Sequence, residues 1–201
     1  HPMGPALELA RPEIRNLRPY RAASYEDGLL RLNANEAPWR PLGDTSVGGL
    51  HHYPDVRPDA LTQALARHYG LPAGQVLVTR GSSEAIDLLI RCFCRPNRDA
   101  IIICPPTFGM YAVYAQIQGA DIIEVPLLAD AGYTLDLDGI SAVVSERTKL
   151  LFICSPNNPT GNRIATAQIE AACEALAGNG LVIVDAAYTE FGDTDPTVAL
   201  L

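Results

Sequence analysis

Short apolar runs alternate with amphipathic stretches along most of this chain. Runs of four or five apolar residues without polar alternation are typical of strands that are buried on both faces of a parallel sheet. We predict five mutually parallel strands, with polar loops leaving one edge, at 76–79, 100–104, 121–125, 150–154 and 181–185. A further short strand candidate lies at 29–32.

Apolar residues at helical spacing occupy the intervals between these runs. We predict a short helical segment within 7–18 and longer helices over 59–69, 81–94, 108–118, 137–144 and 166–177. Ser82 or Ser83 is expected to cap the helix that starts at 81. Since strands alternate with helices, the pattern indicates an α/β fold, a mostly parallel sheet with helices on both faces.

Polar residues follow two of the predicted strands. The run Leu150–Cys154 leads into the loop Ser155–Gly161, whose two prolines, two asparagines and glycine can continue neither a strand nor a helix. The run that begins at Leu181 ends at Asp185. In an open α/β sheet the loops at the carboxyl ends of the strands form the ligand crevice. Either segment alone is equally compatible with an ordinary strand-end turn.

Composition narrows the class of protein. The 201 residues suffice for one domain with a full core. A stretch long enough to span a membrane is missing, which indicates a soluble globular protein. The net charge of −8, without a basic cluster, argues against nucleic acid as a partner. We interpret the five cysteines as reduced core residues of a cytoplasmic protein and predict no metal site.

Six motifs together resemble a known enzyme family. They are Asn33-Ala34-Asn35-Glu36, Tyr53-Pro54-Asp55, Arg80-Gly81-Ser82-Ser83-Glu84, Pro105-Pro106-Thr107-Phe108-Gly109-Met110-Tyr111, the loop Ser155–Gly161, and Val184-Asp185-Ala186-Ala187-Tyr188. Their order resembles the fold-type-I aminotransferases, which depend on pyridoxal 5′-phosphate (PLP), and among these the histidinol-phosphate aminotransferase family. The resemblance extends from Leu9 to Phe191 and implies the large domain of that fold.

The resemblance assigns binding of the cofactor PLP to several of these residues. Ser82 and Ser83 match the phosphate cradle, where N–H groups and the dipole of a helix start attract a dianion. Phe108 matches an aromatic ring, usually tyrosine, that stacks on the pyridine. Tyr53 matches a tyrosine that reaches the cofactor phosphate of the neighbouring subunit, which implies a homodimer. Without the other motifs, an ordinary N-cap and a core aromatic would explain the first three residues.

Two residues are implied to be catalytic. Asp185 matches the carboxylate that pairs with the pyridinium nitrogen, so that the protonated ring can accept electrons. Tyr188 and Asn158 match the two groups that hydrogen-bond the cofactor's O3′. Tyr20 matches a substrate-binding residue on an N-terminal arm. Ala186 departs from the family, which commonly has glutamate there.

The largest departure is a missing lysine. The family's Schiff-base lysine lies a few tens of residues beyond the aspartate strand, and the only lysine of this sequence is Lys149. Lys149 starts a predicted strand whose other end leads to the cofactor loop, about 16 Å away. The arginines expected to bind the substrate's phosphate and carboxylate are also absent. We therefore expect an N-terminal arm at 1–30 and a partial PLP-binding large domain at 31–201, truncated before the last strands and without the C-terminal small domain.

The resemblance also implies two structural details. The peptide bonds Pro105-Pro106 and Asn158-Pro159 are expected to be cis. The sheet is expected to have a gap, because in the family the strand near 76–79 neighbours strands made by residues beyond 201. We therefore expect this sequence to be part of a longer protein.

The implied reaction moves an amino group between L-histidinol phosphate and 2-oxoglutarate, with imidazole acetol phosphate and glutamate as the other pair, in histidine biosynthesis. This chain alone is expected to be inactive. One alternative is a PLP-dependent decarboxylase of a phosphorylated amino acid, of the threonine-phosphate type. Another is an inactive fragment that only folds or binds the cofactor. Neither nucleic acid nor a membrane is expected as a partner.

Overall fold

The computed structural model describes residues 5–20, 29–30, 32–54 and 56–192 of the chain. By its internal contacts the chain divides into two compact units, one made of residues 1–17 together with 79–201 and the other of residues 18–78. In the described ranges we find no helix with the length and apolar character needed to cross a membrane.

The described elements follow the predicted alternation. In chain order they are α1 (Pro5–Glu8), α2 (Pro12–Arg15), α3 (Asp59–Tyr69), α4 (Gly81–Phe93), β1 (Ala100–Ile103), α5 (Met110–Gln118), β2 (Asp121–Glu124), α6 (Leu137–Val143), β3 (Thr148–Cys154), α7 (Thr166–Leu176) and β4 (Leu181–Asp185). Single turns of 3₁₀ helix span Ala73–Gln75, Ala129–Ala131 and Thr189–Phe191. Of these elements, only α3 and the first 3₁₀ turn lie in the smaller unit.

Four strands of the described chain form one parallel sheet in the order β2-β1-β3-β4. This arrangement confirms four of the five predicted strands and the α/β fold class. In the two outer pairings Ile103 lies opposite Glu124 and Cys154 lies opposite Asp185, so the strands end together at one edge. We call this edge, where β1, β3 and β4 release their loops, the carboxyl edge.

Side chains on the two faces of the sheet contribute to two separate cores. On one face, Ile101, Leu150 and Phe152 pack with Ile86 of α4 and Tyr111 of α5. On the other face, a second cluster joins strand residues to α6 and α7; it includes Ile102, Leu151, Ile153, Ile140 and Ile169. Because β1 and β3 are buried on both sides, every residue of β1 and nearly every residue of β3 is buried. The continuous apolar runs in the sequence have this physical cause.

The N-terminal segment packs on the far end of α4. The backbone N–H of Arg11 donates to the carbonyl of Cys92 at 2.9 Å, and its Nη1 donates to the carbonyl of Arg91 at 3.0 Å. These bonds supply partners for carbonyls of the last helical turn, which has none of its own. The predicted single segment within 7–18 is in fact divided between α1 and α2, with Pro12 starting the second helix.

The prediction of a strand at 76–79 was wrong. Those residues are described, and they form no strand. Leu77 is exposed, and Val76 and Val78 are only half-buried. An apolar run becomes a strand only when a partner strand takes up its backbone groups, and the described chain offers none here. The candidate at 29–32 also fails, since residues 29, 30 and 32 lie outside any strand and residue 31 is outside the described residues.

Two smaller predictions need correction. The start of α4 is preceded by Arg80 and no side chain caps it, so neither Ser82 nor Ser83 acts as the expected N-cap. Of the five cysteines, Cys173 is exposed and Cys92 is half-buried, so only three lie in the core. The two expected cis peptide bonds are confirmed at Pro105-Pro106 and Asn158-Pro159, and a third, at Ser155-Pro156, was not predicted.

Candidate functional site

The carboxyl edge brings the loops after β1 and β3 together through one side chain. Asn157, only 4% exposed, donates from Nδ2 to the carbonyl of Pro106 at 2.9 Å and to Thr160 Oγ1 at 2.6 Å. Its Oδ1 accepts from Thr107 Oγ1 at 3.3 Å. The amide therefore connects the two proline-containing loops to each other, one residue before Asn158.

Asp185 ends β4 as a buried carboxylate, 8% exposed. Its Oδ2 accepts from the hydroxyl of Tyr111 at 2.8 Å, and its Oδ1 accepts from the backbone N–H of Ala187 at 3.2 Å. Within the described ranges no arginine, lysine or histidine forms an ion pair with it. A buried carboxylate without a cation is costly, because two neutral donors replace only part of its hydration.

Tyr111 is the partner that sequence reasoning missed. Its ring is fully buried, stacks on Phe152 with ring centres 4.8 Å apart, and meets Phe108 edge to face at 5.6 Å. Burial, together with the negative charge of Asp185, raises the pKa of Tyr111 well above its ordinary value, so its hydroxyl remains a donor. The sequence holds no local sign of this contact, because 74 positions separate the two residues.

Asn158 and Tyr188 lie close together. The Nδ2 of Asn158 and the hydroxyl of Tyr188 are 3.5 Å apart. Tyr188 is 43% exposed and Asn158 is half-buried, so both polar groups remain accessible. Two neutral donors held side by side could share an acceptor oxygen placed between them.

The start of α4 lies at the same edge. Gln118 Nε2 at the end of α5 donates to the carbonyl of Cys94 at 3.0 Å, so α4 and α5 have adjacent carboxyl ends. The opposite end of α5 brings Tyr111 to Asp185 at the carboxyl edge. Because α4 and α5 end together, the first turn of α4 also points toward the carboxyl edge. Ser82 is exposed and Ser83 is half-buried in that turn.

The turn into α4 has a defined conformation. Gly81 has φ +76°, a left-handed value that side-chain-bearing residues rarely adopt, although a Cβ there would meet no neighbour within 4 Å. The carboxylate of Glu84 accepts from the backbone N–H of Arg80 at 2.6 Å and from its Nη2 at 2.8 Å. These hydrogen bonds lower the pKa of Glu84. The serine N–H groups of the first turn have no capping side chain and suit an anion.

Three further residues were predicted for the site. Phe108 is half-buried and reaches the site through its contact with Tyr111. Tyr20 and Tyr53 belong to the smaller unit and are 88% and 67% exposed. The N–H of Tyr53 donates to Glu36 Oε1 at 2.6 Å.

Lys149 lies at the other end of the sheet. It is the second residue of β3, and its Nζ is 3.4 Å from the carbonyl of Asn179, which follows α7. The far end of β3, at Cys154, is the one paired with Asp185. The amine of Lys149 is thus separated from the carboxyl edge by the length of the strand.

Curated relatives match nearly the whole chain. A histidinol-phosphate aminotransferase of Xylella fastidiosa (strain Temecula1) is 47% identical over 199 residues, which cover 97% of this chain and 54% of the relative. One from Xanthomonas axonopodis pv. citri is 46% identical, with the same coverage. The chain spans about half the length of the curated relatives it matches.

Solved structures give the same fold. An aspartate aminotransferase mutant of Thermus thermophilus superposes with a TM-score of 0.56 at 26% identity, covering 63% of this chain and 35% of that one. The alanine aminotransferase of Pyrococcus furiosus gives a TM-score of 0.58 at 25% identity, covering 64% and 33%.

The family described as aminotransferase class I and II matches residues 33–201, a range that contains every described group at the carboxyl edge. The parallel sheet, the loops at its carboxyl edge and the relatives all agree with that match. The chain therefore belongs to the aminotransferase class I and II family.

Proposed function

We propose that the full-length protein is a PLP-dependent aminotransferase that moves an amino group from L-histidinol phosphate to 2-oxoglutarate. The products are imidazole acetol phosphate and glutamate. Family membership supports the reaction class, and the names of the 44–47% identical relatives support the substrate pair.

The residues at the carboxyl edge fit the cofactor. The observation that supports this most strongly is Asp185, a buried carboxylate with no cationic partner in the described chain. A protonated pyridine nitrogen would supply both the positive charge and the N–H donor that such a carboxylate requires. We therefore assign Asp185 to the ring nitrogen of PLP.

The other groups suit the remaining parts of the molecule. The accessible pair Asn158 and Tyr188 can donate to the ring oxygen O3′, which carries negative charge. Ser82 and Ser83, in the uncapped first turn of α4, can bind the phosphate through N–H and hydroxyl groups. Phe108, whose ring contacts that of Tyr111, offers an aromatic ring to the cofactor. Together these residues offer a negative acceptor for the ring nitrogen, donors for O3′ and an anion site for the phosphate of PLP.

When bound, PLP supplies an electron sink for the bond-breaking at the substrate's α-carbon. The chain's own residues hold that sink in place. Asp185 fixes the protonation of the ring nitrogen through its negative charge, and Tyr188 with Asn158 neutralises charge at O3′. The buried surroundings of Asp185 strengthen its attraction for a positive partner, because water screens it less there.

Further assignments complete the proposal. We propose a cytoplasmic homodimer in which Tyr53 reaches the cofactor phosphate of the neighbouring subunit and Tyr20 contacts substrate. Exposed apolar side chains in the smaller unit, among them Trp39, Leu42 and Val47, suit burial against a partner. We also propose residues 1–30 as an arm and 31–201 as part of the PLP-binding large domain.

The test is an assay of the full-length protein saturated with PLP. We expect glutamate and imidazole acetol phosphate to form in equal amounts from L-histidinol phosphate and 2-oxoglutarate. A second incubation with O-phospho-L-threonine, followed by measurement of CO₂, checks the decarboxylase alternative. Release of CO₂ without glutamate would overturn the aminotransferase assignment, and a protein inert in both assays would overturn enzymatic function.

A further inference from the structure

The hydrogen bond between Tyr111 and Asp185 restricts how the carboxylate can rotate. A carboxylate has two oxygens, each able to accept more than one hydrogen bond. Here Oδ2 receives the buried hydroxyl at 2.8 Å, whereas Oδ1 receives one longer bond, from the N–H of Ala187 at 3.2 Å. Both oxygens are thereby fixed in direction before any ligand arrives.

The tyrosine is itself held firmly. Its ring lies between Phe152, on which it stacks, and Phe108, which it meets edge to face. It has no exposed surface, so its hydroxyl cannot turn to water. The core of the protein therefore fixes the position of the donor hydroxyl. Through its hydrogen bond this hydroxyl restricts the orientation of the Asp185 carboxylate.

We propose that Tyr111 is a positioning residue that orients the Asp185 carboxylate toward the ring nitrogen of the cofactor. This inference rests on the proposed function, since it requires Asp185 to meet that nitrogen. Without the hydroxyl, the carboxylate loses the shorter of its two described hydrogen bonds and turns more freely. Its bond to the cofactor then incurs an additional ordering cost.

A purely structural role makes a different prediction. If the hydroxyl only satisfied a buried carboxylate, its loss would lower stability but would affect all cofactor analogues equally. A positioning role acts only on ligands that possess the ring nitrogen. Therefore the two roles are separated by comparing PLP with 1-deaza-PLP, in which carbon replaces that nitrogen.

The experiment measures dissociation constants of both compounds for the full-length wild-type protein and for Tyr111→Phe. The control is Tyr114→Phe, which removes one hydroxyl from the same helix; Tyr114 packs against the same core cluster as Tyr111. The quantity of interest is the preference, the dissociation constant of 1-deaza-PLP divided by that of PLP. This double-mutant cycle isolates the coupling between the hydroxyl and the ring nitrogen.

We expect the wild type and Tyr114→Phe to prefer PLP, and Tyr111→Phe to lose about tenfold of that preference. A preference that Tyr111→Phe leaves unchanged would overturn the positioning role while the proposed function stands. A wild type with no preference would instead show that Asp185 does not meet the ring nitrogen, which overturns both.

A second variant keeps the test possible if Tyr111→Phe does not fold. The variant with 4-fluorophenylalanine at position 111 fills the space of the hydroxyl without donating a hydrogen bond. If Tyr111→Phe does not fold, the same preference is measured on this protein, with the same two outcomes. Thermal unfolding of each variant before ligand addition identifies which protein to use.

Discussion

Cys154 and Asp185 lie opposite each other as the last residues of β3 and β4. The pairing continues one step further, because the N–H of Ser155 donates to the carbonyl of Asp185 at 3.0 Å. The asparagine-rich loop and the buried carboxylate therefore start from the same point of the sheet. Substitutions in the loop and at Asp185 therefore test neighbouring parts of the carboxyl edge.

Asp185→Asn is expected to lower the catalytic rate of the full-length protein at least about 100-fold, because it removes the negative charge assigned to the ring nitrogen. The amide keeps the shape of the side chain and can still accept from Tyr111. Steady-state kinetics with L-histidinol phosphate measure the effect. Asp138→Asn, at an exposed position of α6, is the matched control. Full activity of Asp185→Asn would exclude a role for the charge.

Asn157→Ala should lower stability and Asn158→Ala should weaken PLP binding, although the two residues are adjacent. Asn157 makes buried bonds to Pro106, Thr107 and Thr160, so its loss should cost about 2 kcal/mol in the free energy of unfolding. In the described part of the chain the side chain of Asn158 makes one long contact, to Tyr188 at 3.5 Å, so its loss should change stability by less than about 0.5 kcal/mol but weaken PLP binding.

Urea denaturation and PLP titration of the two variants provide the measurements. A destabilised Asn158→Ala, or an Asn157→Ala variant as stable as the wild type, would show that the loop is held in another way.

Low pH should reduce the free energy of unfolding, because it protonates the carboxylate of Asp99. Burial raises the pKa of this carboxyl, but hydrogen bonds from Arg95 and its positive charge more than compensate, and the pKa lies below its ordinary value of 3.8. The unfolded chain thus binds the proton more tightly. The stabilisation is complete above about pH 4 and is lost as the pH falls through the lower folded-state pKa.

Asp99→Asn removes this effect. We expect a loss of about 2 kcal/mol at pH 7 and a smaller decrease in stability between pH 4 and pH 2 than in the wild type. Urea denaturation at several pH values measures both, with Asp138→Asn as the exposed control. Parallel pH profiles of Asp99→Asn and wild type would contradict the assignment.

The 201-residue chain alone should form no covalent bond with PLP at a specific lysine and should not transaminate. Lys149, its only lysine, lies near Asn179 at the end of the sheet opposite Asp185. The check is to add PLP, reduce with borohydride and map the modified peptides. Stoichiometric labelling of Lys149, or measurable transamination, would show that the active site has been misplaced.

The sequence predicted strands wherever a run of consecutive residues is apolar. It did not predict contacts between segments that are distant along the chain. β3 was predicted because a strand inside a parallel sheet consists almost entirely of apolar residues. β4, the half-buried outer strand of the described sheet, has the same apolar run, and Asp185 stood out as the charge that ends it. Val76–Val78 resembles these runs, yet pairing depends on a partner strand that no local pattern can reveal. The Tyr111 contact was missed for the same reason, because only the folded chain brings the hydroxyl of Tyr111 to the end of β4.

The turn before α4 was mispredicted for a local reason. Two serines after a glycine are typical of an N-cap, but Arg80 and Glu84 bond to each other across the start of the helix. Gly81 adopts its left-handed conformation there, and Ser82 and Ser83 lie inside the first turn of the helix instead of before it. In the first turn their backbone N–H groups have no capping side chain and are available to an anion. Propensity alone does not distinguish the two arrangements.

The contact of Arg11 with Arg91 and Cys92 sets an order of events during synthesis. The ribosome makes α1 and α2 before α4, and their docking site at the end of α4 emerges some 80 residues later. At typical rates of translation this interval is on the order of ten seconds. During that time α1 and α2, each a single turn, are too short to persist as isolated helices. Residues 5–15 therefore reach their final packing only after α4 has been made.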